Sequence, residues 1–356
     1  MTDQPVMIAA GGTGGHVFPA LAVASALREK NIPVIWVGTD QGIESRLVPD
    51  SGYTLKTITV TALRGRGLLK RAQGLLNLAR ALCKSVSLIR QVQPRTVLGM
   101  GGYVSGPVCL AARLCGRRMV LHEQNGVAGF TNKMLKRFAS SIMEAMPGTF
   151  NAAFTVVHTG NPVRTDILNI APPGERMAGR GATRRILVVG GSQGAKALNE
   201  IVPASLALVE EPLEIRHQSG DRWVAETQRA YAHCGHAVEV FPFIDNMAEA
   251  FEWADLIVCR SGAMTVAEIA AVGIASILVP FPSAVDDHQT VNGQYLVDNG
   301  AAVMQQESDM TVQSLATEIS AIVNTRETLI EMAQNARKVS RRDATQRVVN
   351  NLLEVD

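Results

Sequence analysis

Two polar clusters separated by a short apolar run hold the residues best suited to chemistry, Cys259-Arg-Ser-Gly-Ala-Met-Thr-Val-Ala-Glu268 and Asp286-Asp-His-Gln-Thr-Val-Asn292. Ser261 and Gly262 stand between the apolar run Asp255-Leu-Ile-Val-Cys259 and the helical periodicity of Val266, Ile269 and Ala270. Ser261 is therefore the expected N-cap, and the amides of Ala263, Met264 and Thr265 open the helix as an anion site suited to phosphate. Glu268 follows Thr265 by three residues, which puts it on the same face about 5 Å further along. A carboxylate one turn beyond a bound phosphate is placed to accept both hydroxyls of a ribose. A lone glutamate on a helix is ordinarily a solvated surface residue; the second cluster, with Asp286, Asp287, His288, Gln289 and Asn292, favours the binding reading here.

A second constellation opens the chain. Val6-Met-Ile-Ala-Ala reads as a buried strand, followed by Gly11-Gly-Thr-Gly-Gly-His16 and a helix with Phe18, Leu21, Ala22, Ala24 and Leu27 inward, entered through Pro19 near its first turn. The glycines permit close approach of a ligand to the backbone, yet a dinucleotide fingerprint requires glycine at Val17, and only Asp40, after the second strand, sits where a ribose-binding acid belongs. His16 lies at the C-terminal edge of a parallel sheet, and the ordinary imidazole pKa of about 6.5 suits a general base. The bland alternative is a histidine that hydrogen-bonds a neighbouring loop. Thr96-Val-Leu-Gly-Met-Gly-Gly-Tyr103 and Met119-Val-Leu-His-Glu-Gln-Asn125 are further strands running into polar or glycine turns of the same rim. His122 and Glu123 do not form a metal pair, since adjacent strand residues point to opposite faces.

These turns require strands and helices in alternation, and the pattern restarts after the linker Thr159-Gly-Asn-Pro-Val-Arg164. Arg185-Ile-Leu-Val-Val-Gly-Gly-Ser-Gln-Gly-Ala195 repeats strand, glycine turn and helix, with Ser192 and the amides near Gly194 as a second phosphate cradle. The expected architecture is α/β, two similar halves facing across a cleft. At 356 residues the chain is long enough for two cores. Its 47% apolar and 19% charged residues carry no disorder signature. No apolar run approaches the roughly 18 residues of a membrane span, and the opening Met-Thr-Asp-Gln-Pro lacks a basic targeting region, which points to synthesis for the cytoplasm. Five cysteines without a Cys-x-x-Cys pair, mostly in apolar runs, read as reduced core thiols.

The net charge of +2 hides an asymmetry. Residues 1–161 hold 18 Lys and Arg against 7 Asp and Glu, and the remainder is correspondingly acidic. A basic half calls for an anionic partner, whether nucleic acid, membrane surface or diphosphate. Aromatic residues for base stacking are few, at 4%. Arg64, Arg66, Lys70 and Arg71 precede a leucine-rich helix (Leu75, Leu76, Leu78, Leu82, Val86, Ile89) with Arg80 and Lys84 on it. This fits a membrane-surface element as well as it fits a core helix with a solvated basic side.

Taken together, Gly11-Gly-Thr-Gly-Gly-His, Gly101-Gly-Tyr-Val-Ser-Gly-Pro, His122-Glu-Gln-Asn, Gly160-Asn-Pro-Val-Arg, Gly191-Ser-Gln-Gly-Ala, Phe243-Ile-Asp-Asn-Met and the stretch from Arg260 to Gln294 resemble the MurG family, in its order and over nearly the whole chain. The resemblance implies a GT-B glycosyltransferase with two Rossmann-like domains: residues 1–161, on the acceptor and membrane side and rejoined by a final helix at 341–356, and residues 162–340, which bind the donor. It implies transfer of N-acetylglucosamine from UDP-N-acetylglucosamine to undecaprenyl-pyrophosphoryl-N-acetylmuramyl-pentapeptide, lipid I, for peptidoglycan synthesis at the cytoplasmic face of the inner membrane. On the donor, Ile244 would meet the uracil through its backbone, Glu268 the ribose, Gln289 the sugar, and Ser192, Arg164 and the helix start Ala263, Met264, Thr265, Val266 and Ala267 the diphosphate. Thr13, Gly14, Gly15 and Asn125 would close over it. The acceptor's pyrophosphate would meet the N-terminal glycine turns, including Gly101, Gly102 and Tyr103, with His16 the leading candidate for the base. A UDP-sugar 2-epimerase or another GT-B nucleotide-sugar enzyme is the alternative, whereas a nucleic-acid partner leaves the donor stretch unexplained.

The implied reaction is a single inverting displacement, and the departing UDP must be stabilised. Asp286-Asp287 would suit a divalent metal, but a helix N-terminus with Arg164 can do the same work, so no protein-bound metal and no tightly bound cofactor are expected. Transfer should then survive exhaustive EDTA treatment; complete loss, restored by magnesium or manganese, would move the diphosphate chemistry to the two aspartates.

Overall fold

A computed structural model describes residues 4–60, 68–151 and 153–354, without the side chains of residues 68–72 and 75. Arg64 and Arg66 therefore lie outside the described residues, as do the side chains of Lys70, Arg71 and Leu75. The chain divides into two compact units, Met1–Arg164 with Arg341–Asp356, and Thr165–Ser340. The first crossing falls after Arg164, three residues beyond the boundary read from sequence, and Arg164 belongs to the first unit.

Among the described residues the first unit holds a seven-stranded parallel sheet: β1 (Val6–Ala9), β2 (Val34–Gly38), β3 (Thr54–Thr57), β4 (Thr96–Gly99), β5 (Arg118–Glu123), β6 (Ser141–Glu144) and β7 (Val156–His158). Their order is β3-β2-β1-β4-β5-β6-β7. In the second unit β8 (Arg184–Val189), β9 (Leu213–Gln218), β10 (Ala237–Phe241), β11 (Leu256–Cys259), β12 (Ala275–Leu278) and β13 (Ala302–Met304) are ordered β10-β9-β8-β11-β12-β13, again parallel. The central strands β1, β4, β11 and β12 are buried at every position. Burial on both faces is what makes them continuous apolar runs rather than alternating ones. Each sheet reverses its winding at one place, between β1 and β4 and between β8 and β11, and there the flanking helices diverge and leave their starts open.

The helix Gly14–Glu29 packs Val17, Ala20, Val23, Ala24 and Leu27 on the first sheet. Two expectations fail here. Phe18 is on the exposed side, and Leu21 and Ala22 are only partly buried, because the helix begins at Gly14 and sets the inward stripe on Val17. For the same reason Pro19 is the sixth helical residue rather than a first-turn one, so the Gly15 carbonyl loses its intrahelical donor. The returning helix Ala344–Leu353 adds Val348, Val349 and Leu352 to the same core. Its last carbonyls take donors from the sheet: Thr96 Oγ1 to Leu352 at 3.0 Å and Arg118 Nη1 to Asn351 at 2.6 Å. These satisfy groups that a helix end otherwise leaves unpaired. The opposite face is covered by the helices Leu68–Val92 and Gly102–Leu114, through Ile89, Val104, Val108 and Cys109. All five cysteines are unpaired, and Cys109, Cys234 and Cys259 are buried.

The second unit is tied at the foot of β11 by Asp255, whose side chain is wholly buried. Its carboxylate accepts from Arg180 Nη1 at 2.6 Å and from the Arg185 amide at 3.0 Å, and Arg326 Nη1 stands 3.4 Å away. Removing it would leave clustered guanidinium groups without a counter-ion. Asp255→Ala should lower the unfolding free energy of this unit by about 3 to 5 kcal/mol, read by urea unfolding through the fluorescence of Trp223 and Trp253. A loss below about 1 kcal/mol would show that the arginines find other partners.

Candidate functional site

In the first unit the residues singled out by sequence gather at the switch point. β1 ends at Ala9, and Gly12 adopts φ +93°, which allows the chain to turn into the helix at Gly14. Thr13 is the N-cap residue with an extended backbone, and its carbonyl accepts from the His16 amide at 3.1 Å. Gly14, Gly15 and His16 thus form the first helical turn, so His16 is itself helical rather than poised after the turn. Thr13 Oγ1 lies 3.4 Å from His16 Nδ1. Across from it, β4 runs into Gly101 and Gly102, with φ +89° and +77°. A Cβ on Gly101 would stand 3.0 Å from His16 Nε2, and one on Gly102 would stand 2.7 Å from the Gly11 carbonyl, so the two turns pack backbone to backbone around the imidazole. Tyr103 follows, 55% exposed. Arg164 places its guanidinium 5.8 Å from the Phe18 ring centre, beside the same helix.

Asn125 sits on a separate loop, after β5. The buried Glu123 carboxylate organises that loop, accepting from the Asn125 amide and Nδ2 (both 3.1 Å), the Gly129 amide (2.9 Å) and Asn132 Nδ2 (2.8 Å). His122 points the other way, as strand geometry requires. Its Nε2 donates to the Gly160 carbonyl at 3.0 Å, and Nδ1 accepts from Gln124 Nε2 at 3.1 Å. Burial pushes the His122 pKa down to about 4, against smaller upward effects of the Gly160 carbonyl and Glu123.

The second unit repeats the arrangement. After β8, Gly191 (φ +88°) and Gly194 (φ +73°) close a turn by the Gly194 amide to the Gly191 carbonyl at 3.0 Å, with Ser192 exposed at its tip. After β11 the helix Ala263–Val272 is capped by Gly262, with the Val266 amide bonding the Gly262 carbonyl at 2.9 Å. This corrects the expectation for Ser261. Ser261 is wholly buried one residue earlier, and its carbonyl accepts from Asn292 Nδ2 at 3.3 Å. The first turn of the helix is thus formed by Ala263, Met264 and Thr265, whose amides lie at its N-terminal end. Thr265, Ala267 and Glu268 are partly exposed, whereas Val266 is buried. Ser192 and this helix start follow adjacent paired strands, so both belong to one sheet edge.

Ile244 and Gln289 are already engaged. The Ile244 amide donates to Gln218 Oε1 at 2.9 Å, and Gln218 Nε2 donates to the Gly191 carbonyl at 3.0 Å, which joins the Ile244 loop to the glycine turn. Gln289 Oε1 accepts from the Phe281 amide at 2.9 Å, so its NH2 end is the part left to meet a ligand. Asp286 and Asp287 both adopt left-handed backbone, φ 54° and 49°, and Asp287 Oδ1 accepts from Thr290 Oγ1 at 2.7 Å. Among the described residues no group of three or more His, Cys, Asp or Glu side chains is disposed to hold a metal. Sequence reading missed Gln218, Asn132 and Glu44. Glu44 and Gln218 act on loops 26 to 32 residues away and Asn132 on one nine residues away, and no local motif marks any of them.

Models of the glycosyltransferase family 28 N-terminal and C-terminal domains match residues 6–144 and 185–348. A protein of Marinobacter nauticus named UDP-N-acetylglucosamine–N-acetylmuramyl-(pentapeptide) pyrophosphoryl-undecaprenol N-acetylglucosamine transferase is 45% identical, with 99% of each chain covered. The protein of the same name from Alkalilimnicola ehrlichii is 47% identical, again with 99% of each covered. The crystal structure of Acinetobacter baumannii MurG superposes with a TM-score of 0.87 at 42% identity, over 99% of this chain and 100% of that one.

His122 makes acid sensitivity measurable. Its folded pKa of about 4 lies below the ordinary value near 6.5, so the unfolded chain binds the extra proton first. The stability contributed by the neutral ring is complete above pH ~6.5 and is lost as pH falls towards 4, by up to ~3 kcal/mol. Urea unfolding at pH 7.5 and 4.5 should therefore cost the wild type about 2 to 3 kcal/mol more than it costs His122→Gln; equal losses would show that another group takes the proton.

Proposed function

The chain belongs to glycosyltransferase family 28 and, within it, to the MurG family, and from that premise we propose the following division of labour between its two units. The enzyme transfers N-acetylglucosamine from UDP-N-acetylglucosamine to lipid I, giving lipid II for peptidoglycan synthesis. The second unit holds the donor: the Ile244 backbone takes the uracil, Glu268 the ribose hydroxyls, Ser192 and the helix start Ala263 to Ala267 the diphosphate, and Gln289 the sugar. Thr13, Gly14, Gly15, Asn125 and Arg164 complete the donor set. The Gly101–Gly102 turn and Tyr103 take the acceptor. The observation that carries this reading is the glycine-capped helix start after β11, at the C-terminal edge of the sheet, with Glu268 one turn in.

The chemistry is an inverting displacement. The 4-hydroxyl oxygen of N-acetylmuramic acid bonds to the anomeric carbon as the bond to UDP breaks, and the hydroxyl proton passes to the His16 imidazole. Charge growing on the diphosphate is met by oriented amides and Arg164, which need no reorganisation during the reaction.

The acceptor's lipid places the enzyme peripherally on the anionic cytoplasmic face of the inner membrane. In support, Phe130 and Met134 are 74% and 60% exposed one turn apart, beside the exposed Lys133 and Arg137. Among the described residues no helix is long and apolar enough to cross a membrane.

Labelled UDP-N-acetylglucosamine with a short-chain lipid I analogue tests the whole reading. His16→Ala should lower kcat by about 10² to 10⁴ with UDP binding nearly intact, and Glu268→Ala should raise donor KM by removing charge-assisted hydrogen bonds of roughly 1.5 to 3 kcal/mol each. No transfer by a folded, UDP-binding protein would sink the reading, and isomerisation of the donor without acceptor would favour an epimerase. A loss of UDP affinity in parallel with kcat in His16→Ala would reassign that residue to binding.

A further inference from the structure

Glu44 opens the short helix Glu44–Asp50, yet it has no solvent exposure. Its carboxylate reaches back to the first glycine turn: Oε2 accepts from the Gly12 amide at 3.0 Å, and Oε1 accepts from the Thr39 amide at 2.9 Å and from Thr39 Oγ1 at 2.7 Å. Thr39 Oγ1 in turn accepts from the Gly42 amide at 3.1 Å. Three glycines from three segments, Gly11, Gly38 and Gly42, line the carboxylate so closely that a Cβ on any of them would collide with it. Among the described residues no lysine or arginine forms an ion pair with it. Burial raises its pKa, but the bonds from Gly12 and Thr39 together outweigh that and hold it low, so the buried group is an anion neutralised by N–H and O–H donors alone.

In dinucleotide-binding sheets the amides of this turn face a pyrophosphate. Here the chain's own carboxylate occupies the Gly12 amide. We propose that Glu44 is a positioning residue for the transfer reaction. It fixes the turn that presents Thr13, the Gly14 and Gly15 amides and His16, and its charge bars a ligand phosphate from Gly12. An incoming anion is thereby directed to the helix start. This also gives physical grounds for the broken dinucleotide fingerprint. The inference rests on the reading of this turn as part of the transferase site.

The test is Glu44→Gln, which keeps the volume, removes the charge and sets an NH2 group where an acceptor stood. In the folded variant the Gly12 amide, followed by nitrogen-15 NMR hydrogen exchange, should exchange at least about tenfold faster. The kcat should fall by about 10- to 100-fold while affinity for UDP alone, which the second unit carries in our reading, stays within about twofold. An unchanged Gly12 exchange rate overturns the proposal, as does faster exchange with kcat within about twofold of wild type. A parallel loss of UDP affinity also overturns it, since that marks general loosening of the protein. If the wild type itself transfers nothing, the transferase reading fails, and the Gly12 exchange rate still decides whether Glu44 holds the turn.

Discussion

Main-chain amides bind an anion only where they are left unpaired, and in a parallel α/β sheet this happens at helix starts beside the switch in strand order. The two units place their glycine turns at that switch in the same way. β1 and β4 lead to Gly11–His16 and Gly101–Gly102, and β8 and β11 lead to Gly190–Gly194 and Gly262–Thr265. Everything else serves these four turns. Strands buried on both faces hold their C-terminal ends in register, and glycines allow the close approach of Gly102 to the Gly11 carbonyl and of Gly194 to Ser219.

A second device recurs: a buried carboxylate that gathers amides rather than cations. Glu123 takes four N–H donors and so shapes the loop that carries Asn125. Glu44 does the same for Gly12 and Thr39. A short anion with several fixed acceptor directions orders a loop more completely than apolar packing does, because each lost donor would leave an unpaired buried group. Asp255 is the contrasting case, ringed by arginines at the foot of a strand and remote from the glycine turns.

Charge is divided unevenly between the two halves. The half with excess base, residues 1–161, carries the lipid-linked acceptor in our reading, whereas the donor's diphosphate goes to the acidic half. A nucleotide can bind a net-negative unit because the field it meets is local: oriented amides at one helix start act over a few ångströms, and distant surface carboxylates are screened. Net charge instead speaks to large anionic surfaces such as the membrane we propose, and Phe130, Met134, Lys133 and Arg137 are exposed together in the basic half.

Apolar runs ending in glycine, repeated in two halves, were enough to identify the α/β class and the four turns, because parallel strands and phosphate turns are local patterns in the chain; the family came from the resemblance of the motifs taken together in their order. Local periodicity did less well at the boundaries. It assigned the N-cap to Ser261 instead of Gly262 and placed Pro19 only as near the first turn, where it is the sixth helical residue, because a helix start depends on which residue the sheet buries, and Ser261 is wholly buried. The partners of the site were not legible at all. Gln218 joins Gly191 to Ile244, Glu44 holds Gly12 across 32 residues, and Leu352 and Asn351 accept from Thr96 and Arg118 across more than 230. Such bonds are decided by which strands become neighbours in the folded sheet, and only the tertiary structure brings those residues within hydrogen-bonding reach.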